Sequence, residues 1–163
     1  MKKLIGGTTV LAGVALLAIA ATALATTASG VGSTPIAQGR VVDDIDVKVK
    51  TGDWKIKLDT KGPSTLAVTE ITVKPGGNFG WHSHPGPSLV IVKSGTSTFY
   101  RGDDPDCTPQ VHPAGTAYVD PGGVVHIARN ESLTADLVVV VTRLAPADVP
   151  PRNDEDAPGN CAF

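Results

Sequence analysis

Two segments punctuated by glycine and proline carry three of the chain's four histidines, and they constrain the fold more than anything else in it. The first runs from Gly76 through Gly80, Trp81, His82, Ser83, His84, Pro85 and Ser88 to the apolar run Leu89–Val92 and Gly95. The second runs from Gly115 through Tyr118, Asp120, Pro121, Gly123 and His126 to Asn130. Each reads as strand, turn, strand. Residues two apart in a strand share a face, so His82 and His84 project together and Ser83 points away. A tight turn over Pro121, Gly122 and Gly123 lets the strand beginning near His126 run back beside that pair. Three imidazoles around one point, with open positions left over, is how a protein holds a catalytic transition metal.

The remaining pattern predicts an all-β protein. Val41 to Lys50, Trp54 to Leu58, Leu66 to Val73, Leu89 to Val92, Thr96 to Tyr100, Ala117 to Val119, Val124 to Ala128 and Asp136 to Leu144 read as short strands. Turn residues separate them, at Pro75-Gly76-Gly77, Pro85-Gly86-Pro87, Gly102 to Pro105 and Pro121-Gly122-Gly123. Nothing after the first 25 residues keeps apolar helical spacing for three turns. With 18 Gly and 13 Pro, a single sandwich or barrel is the expected architecture. Residues 26–39 are small and polar and read as a flexible leader, with the barrel over 40–145. The tail over 146–163 is rich in proline and acid, without periodicity, and reads as disordered unless it is tied down.

Residues 1–25 have the layout of a secretory signal peptide: Lys2 and Lys3, an apolar run from Leu11 to Leu24, and small residues at Ala23 and Ala25. An uncleaved membrane anchor is the competing reading, since Leu4 to Ala25 approaches spanning length. Cleavage removes two lysines and no acid, leaving 12 basic against 16 acidic residues, a net charge of −4. No basic patch is visible, which argues against nucleic acid or an anionic membrane surface as a partner. Export also places the only two cysteines, Cys107 and Cys161, in an oxidising compartment, where one disulfide is expected. A metal-binding or catalytic thiol is the alternative. Neither cysteine has a second cysteine or a histidine at ligand spacing.

The two histidine segments resemble the paired motifs of the cupin superfamily. The first family motif places Gly, His, His, Glu and Gly at set intervals, and this chain matches at Gly76, His82, His84 and Gly95 but has Ser88 at the glutamate position. The second places Gly, Pro, Gly, His and Asn, and this chain matches at Gly115, Pro121, Gly123, His126 and Asn130. The resemblance covers residues 76–130 closely and the flanking strands in outline. It implies a jelly-roll β-barrel with a divalent transition metal (Fe, Mn, Zn, Ni or Cu) in its mouth, held by His82, His84 and His126. Members of the family often pair through outer strands, so it also implies a homodimer as one arrangement. A serine hydroxyl is a weak ligand for such metals, and Ser88 is expected to contact a bound water or a substrate oxygen instead. Three neutral imidazoles leave the ion's full charge uncompensated, which favours an anionic or chelating ligand.

The blander expectations are specific too. Phe79, Trp81, Phe99, Tyr100 and Tyr118 are expected to pack core and rim. His112 matches no motif position and is expected at the surface or a sheet edge. Asn130 is expected to brace the second motif, with Arg129 facing the other way, and Asp120 to serve the turn. Functionally, the pattern implies an exported metal-dependent enzyme acting on a small molecule, by an oxygen-using or isomerising reaction. The alternatives are a barrel that binds a metal or small molecule without turnover, and a degenerate barrel with no metal. No motif position supplies a free carboxylate, which weakens hydrolysis and proton transfer as candidates.

Overall fold

The computed structural model describes residues 25–163, so the expected signal peptide lies outside the described residues apart from Ala25. Twelve strands and no helix make up the described residues: β1 Ser29–Val41, β2 Asp46–Thr51, β3 Trp54–Asp59, β4 Ser64–Asn78, β5 His82–Ser83, β6 Ser88–Ser94, β7 Thr96–Arg101, β8 Gln110–Pro113, β9 Ala117–Asp120, β10 His126–Arg129, β11 Leu137–Pro146 and β12 Asn153–Asp154. The expected all-β barrel is what forms. One wall has the order β1, β4, β11, β6, β9, and the other β8, β7, β10, β5, β12. The long strand β4 links the walls through the pairing of Asn78 with Arg129.

Period-two burial builds the core. In β6, Ser88, Val90 and Val92 are buried while Leu89 and Ile91 face solvent. In β11, Leu137, Val139 and Val141 point inward onto Ile71 and Val73 of β4. This cluster fills one end of the barrel. A second, smaller cluster of Trp81, Tyr100 and Ile127 sits under Cys107 and Cys161. The four motif glycines Gly76, Gly95, Gly115 and Gly123 all have positive φ, as corners of this kind require.

The expectation of a flexible leader fails, and the tail is held by more than the expected disulfide. Residues 29–39 were read as part of a flexible leader, yet they lie within β1, paired with β4 along its whole length. β1 is an exposed edge strand held by backbone hydrogen bonds, so its side chains show no apolar alternation. Pro35 sits at a register shift, where an edge strand tolerates it. The tail, read as disordered when free, is also ordered by main-chain pairing. β12 adds to β5, and Glu155 exchanges backbone hydrogen bonds with Thr26 and Trp81. The run Val41–Lys50, read as one strand, is broken between β1 and β2. There β2 and β3 form a separate hairpin whose apolar face, with Val47, Val49, Trp54 and Ile56, is exposed.

Cys107 and Cys161 are joined by a disulfide across a separation of 54 residues, with Cα atoms 5.3 Å apart. Beyond it, Phe163 stacks on Trp81, meets Tyr100 edge-on and lies 3.9 Å beneath the Arg129 guanidinium. We expect the native protein to titrate no free thiol. Replacing both cysteines by serine should lower the unfolding free energy by up to about 4 kcal/mol in the chain-entropy description. Urea denaturation of the double variant checks this, and an unchanged midpoint would remove the disulfide from the stability of the fold.

Candidate metal centre

The site is built where the two motifs meet. β5 is only two residues long and is held from both sides: His82 pairs with His126 of β10 and with Asp154 of β12. Pairing in register puts the His82 and His126 rings side by side, 4.2 Å between centroids. His84 follows two residues after His82 and completes the group, its ring 4.8 Å from His82 and 5.3 Å from His126. Ser83 faces away, donating to Glu155 Oε1 at 2.7 Å. The turn after β9 locks onto the first motif through Gly123 N–H, which donates to the His84 carbonyl at 2.8 Å. Gly122 has φ +79°, and a Cβ there would lie 2.6 Å from the Gly86 carbonyl oxygen, so only glycine lets the two turns touch.

All three rings are oriented by main-chain carbonyls. His82 Nδ1 lies 2.9 Å from the Gly80 oxygen, His84 Nδ1 2.8 Å from that of Pro151, and His126 Nδ1 2.9 Å from that of Val124. A carbonyl only accepts, so each Nδ1 must carry the hydrogen and each neutral ring must present its Nε2 lone pair. One ligand atom from each histidine lies within 4.8 Å of the others. All three side chains are buried. Burial lowers their basicity, taking His82 to about 2 and, with Arg143 nearby, His84 to about 4. Burial lowers His126 as well, against the opposing pull of Asp120. The rings are therefore neutral at ordinary pH, the form that binds metal. Phe99 stacks on His126 at 5.0 Å and Phe79 on His82 at 6.1 Å, so these two aromatics steady the imidazoles as well as packing.

The rings open onto a cavity of about 280 Å³. Its deep wall is apolar, with Ile71, Val90, Val139 and Val141, and its polar edge carries Ser88, Asp120, Arg143 and Arg152. Ser88 is buried at this wall, and its hydroxyl accepts from Arg143 Nε at 3.3 Å. His112 lies outside the cavity, stacked on Tyr118 at 4.1 Å. Asn130 braces the second motif: its Nδ2 donates to the carbonyls of Val73 and Ala135, and its Oδ1 accepts from Ser132 N–H.

Four contributors were not assigned to the site from the sequence. Asp120, expected to serve only the turn, does so with Oδ1, which accepts Gly122 N–H at 3.0 Å. Its Oδ2 instead lies 3.4 Å from His126 Nε2 and 3.7 Å from His84 Nε2. No motif position supplies a carboxylate, but the intervening residue Asp120 places one beside the imidazoles. Arg143 lies in phase with the inward residues Val139 and Val141 of β11, and a charge at an inward position was the signal that could have found it. Pro151 and Arg152 come from the tail, where no periodicity points to them. Arg152 is tied to Asp154 at 2.6 Å and to the Phe79 carbonyl at 2.7 Å.

No curated protein matches the chain. Among solved structures it is similar to a conserved protein of unknown function from Streptococcus pyogenes, at 22% identity over 50% of this chain and 65% of that one, with a TM-score of 0.43. It is similar to a cupin-like protein from Thermotoga maritima at 23% identity, over 56% of this chain and 65% of that one, with a TM-score of 0.49. It is also similar to the polyketide cyclase RemF from Streptomyces resistomycificus at 21% identity, over 57% and 64%, with a TM-score of 0.47. The chain thus spans 65% of the length of each of the first two. Residues 69–142 match the family described as Cupin domain. Over those residues the chain carries a cupin domain.

Proposed function

We propose that the protein is an exported, metal-dependent enzyme acting on a small anionic molecule, with His82, His84 and His126 as metal ligands. The observation that carries this is the fixed tautomer of all three rings. Three carbonyls hold three Nδ1–H groups, so three Nε2 lone pairs converge in a buried space. Lone pairs facing one another repel unless a cation or a donor stands between them. A divalent transition metal such as Fe, Mn, Zn, Ni or Cu fits an all-imidazole donor set and supplies Lewis acidity and a template, and a redox-active one also supports oxygen chemistry.

The residues of the chain suggest how a substrate is held. The cavity is at the small end of ligand pockets, which suits a molecule of few heavy atoms. Its aliphatic wall excludes water and favours a short apolar portion. The Arg143 side chain is partly buried and, among the described residues, has only the Ser88 hydroxyl as a hydrogen-bond partner. Burial lowers its pKa from the ordinary arginine value without approaching neutrality. Its guanidinium is thus a cation short of an anion at the cavity edge, and a substrate carboxylate there would be oriented toward the imidazoles. Oxygen-using and isomerising reactions are the classes such a site serves.

The disulfide fits an oxidising compartment. Cleavage after Ala25 would leave Thr26 first, and this residue already binds the fold through Glu155 and Trp81. Secreted protein should therefore begin at Thr26 by N-terminal sequencing, and material beginning at Met1 would reject export with cleavage.

Purified protein should carry close to one equivalent of a transition metal by elemental analysis. His126→Ala should lose it while keeping the β-sheet circular dichroism of the parent. A metal-free parent that also refuses added Co²⁺ or Zn²⁺ would leave the degenerate barrel standing. For the anion, oxalate titrated into Co²⁺-loaded protein should perturb the visible spectrum. Arg143→Gln should weaken that effect roughly tenfold or more, the worth of one charge-assisted hydrogen bond.

A further inference from the structure

We infer that Asp120 is the fourth protein ligand of this site, a carboxylate moved one strand across from the position where Ser88 replaces the family's glutamate. The inference rests on the three-histidine reading above. Ser88 and Asp120 are direct register partners on β6 and β9. In both strands the neighbouring residues Leu89 and Val119 face solvent, so Ser88 and Asp120 share the inward face. Directly opposed residues on antiparallel strands have Cα atoms about 4.5–5.5 Å apart, so a carboxylate on one reaches much of the space served by the other.

The environment of the carboxylate points the same way. Asp120 is 3% exposed. Oδ1 is used in the turn, but Oδ2 is buried and has no hydrogen-bond partner. The polar atoms nearest to it in the site are His126 Nε2 at 3.4 Å and His84 Nε2 at 3.7 Å. The hydrogens of those rings are on Nδ1, held by Val124 and Pro151, so neither Nε2 donates to the carboxylate. Arg143 and Arg101 act on the carboxylate as charges through space, and Arg143 gives its Nε to Ser88. Asp120 Oδ2 and the Nε2 atoms of His84 and His126 thus face one another with no donor among them. A buried carboxylate oxygen without a hydrogen bond is costly, and an ion held by the imidazoles that also met Oδ2 would remove that cost. Three imidazoles and one carboxylate also lower the charge of a bound divalent ion from +2 to +1, suiting it to bind a further monoanion.

The test is Asp120→Asn, which keeps an Oδ1 for the Gly122 turn and removes only the charged oxygen. Zn²⁺ affinity, read by competition with a chromophoric chelator, should fall by more than about a hundredfold, beyond the roughly tenfold to hundredfold that losing an outer partner of a ligand costs. The visible spectrum of the Co²⁺ protein should change in intensity and position. The metal-free variant should melt no lower than the metal-free parent, because an unpaired buried charge has been removed. The double variant Ser88→Glu with Asp120→Asn should regain affinity, since it restores a carboxylate on the neighbouring strand. Unchanged Zn²⁺ affinity and Co²⁺ spectrum in Asp120→Asn would overturn the inference. So would a metal-free variant that melts lower than the parent, which would mark Asp120 as a structural residue. Either result leaves the three-histidine reading intact as long as His126→Ala still abolishes binding. Failure of the parent to bind Zn²⁺ or Co²⁺ would remove both.

Discussion

Three main-chain carbonyls set the chemistry of this cavity. Those of Gly80, Val124 and Pro151 take the Nδ1 hydrogens of His82, His126 and His84. A side-chain acceptor could titrate or swing away, but a carbonyl can do neither. Each ring is therefore fixed in one tautomer, with its lone pair aimed into the barrel. Burial then keeps the rings neutral, and stacking by Phe79 and Phe99 limits their tilt. Much of the surrounding structure serves to hold those carbonyls in place. The Gly80 carbonyl precedes a two-residue strand that survives because β10 and β12 clasp it from both sides. The Val124 carbonyl follows a turn that only glycines can close against Pro85-Gly86-Pro87.

The third carbonyl joins the tail to the site. Pro151 lies in a stretch that would be disordered as a free chain, yet its oxygen positions His84 and its neighbour Arg152 edges the cavity. The stretch is fixed by main-chain pairing at β12, by Glu155 between Thr26 and Trp81, and further on by Cys161 and Phe163. The disulfide thus lies ten residues downstream of a group that orients an imidazole. Between the two, β12 and Glu155 hold the tail by main-chain pairing, so the carbonyl is secured on the near side of the disulfide.

What the sequence made legible was what period two and local turns determine. His82 and His84 share a face because they are two residues apart, and Ser88, Val90 and Val92 alternate with Leu89 and Ile91 for the same reason. The return of His126 follows from a turn whose glycines are visible in the sequence. What was hidden depends on pairing between distant segments. β1 is stabilised by its backbone against β4, so its small polar side chains gave no sign of a strand. The role of Asp120 depends on the β6–β9 register. Its turn duty, satisfied by the other oxygen, explained the residue too completely. Arg143 was visible as a charge at an inward position of a valine-rich strand, and weighing phase as well as residue type would have placed it at the site.

Ser88 and Arg143 are also register partners, across the other edge of β6. A glutamate at position 88 would face that guanidinium directly and neutralise it, since an arginine–carboxylate pair in a part-buried wall forms charge-assisted hydrogen bonds. With serine there, Arg143 keeps one weak partner at 3.3 Å and most of its donors remain free. Moving the carboxylate to Asp120, on the far side of β6 from Arg143, therefore does two things in a single rearrangement. It returns an anionic oxygen to the imidazoles from a shorter side chain, and it leaves Arg143 to feel that anion through space without a hydrogen bond to it. The site is left with a negative group beside the imidazoles and a positive group on the wall. Under the function proposed above, that polarity would suit a small molecule whose anionic end meets Arg143 and whose reacting end meets the imidazoles.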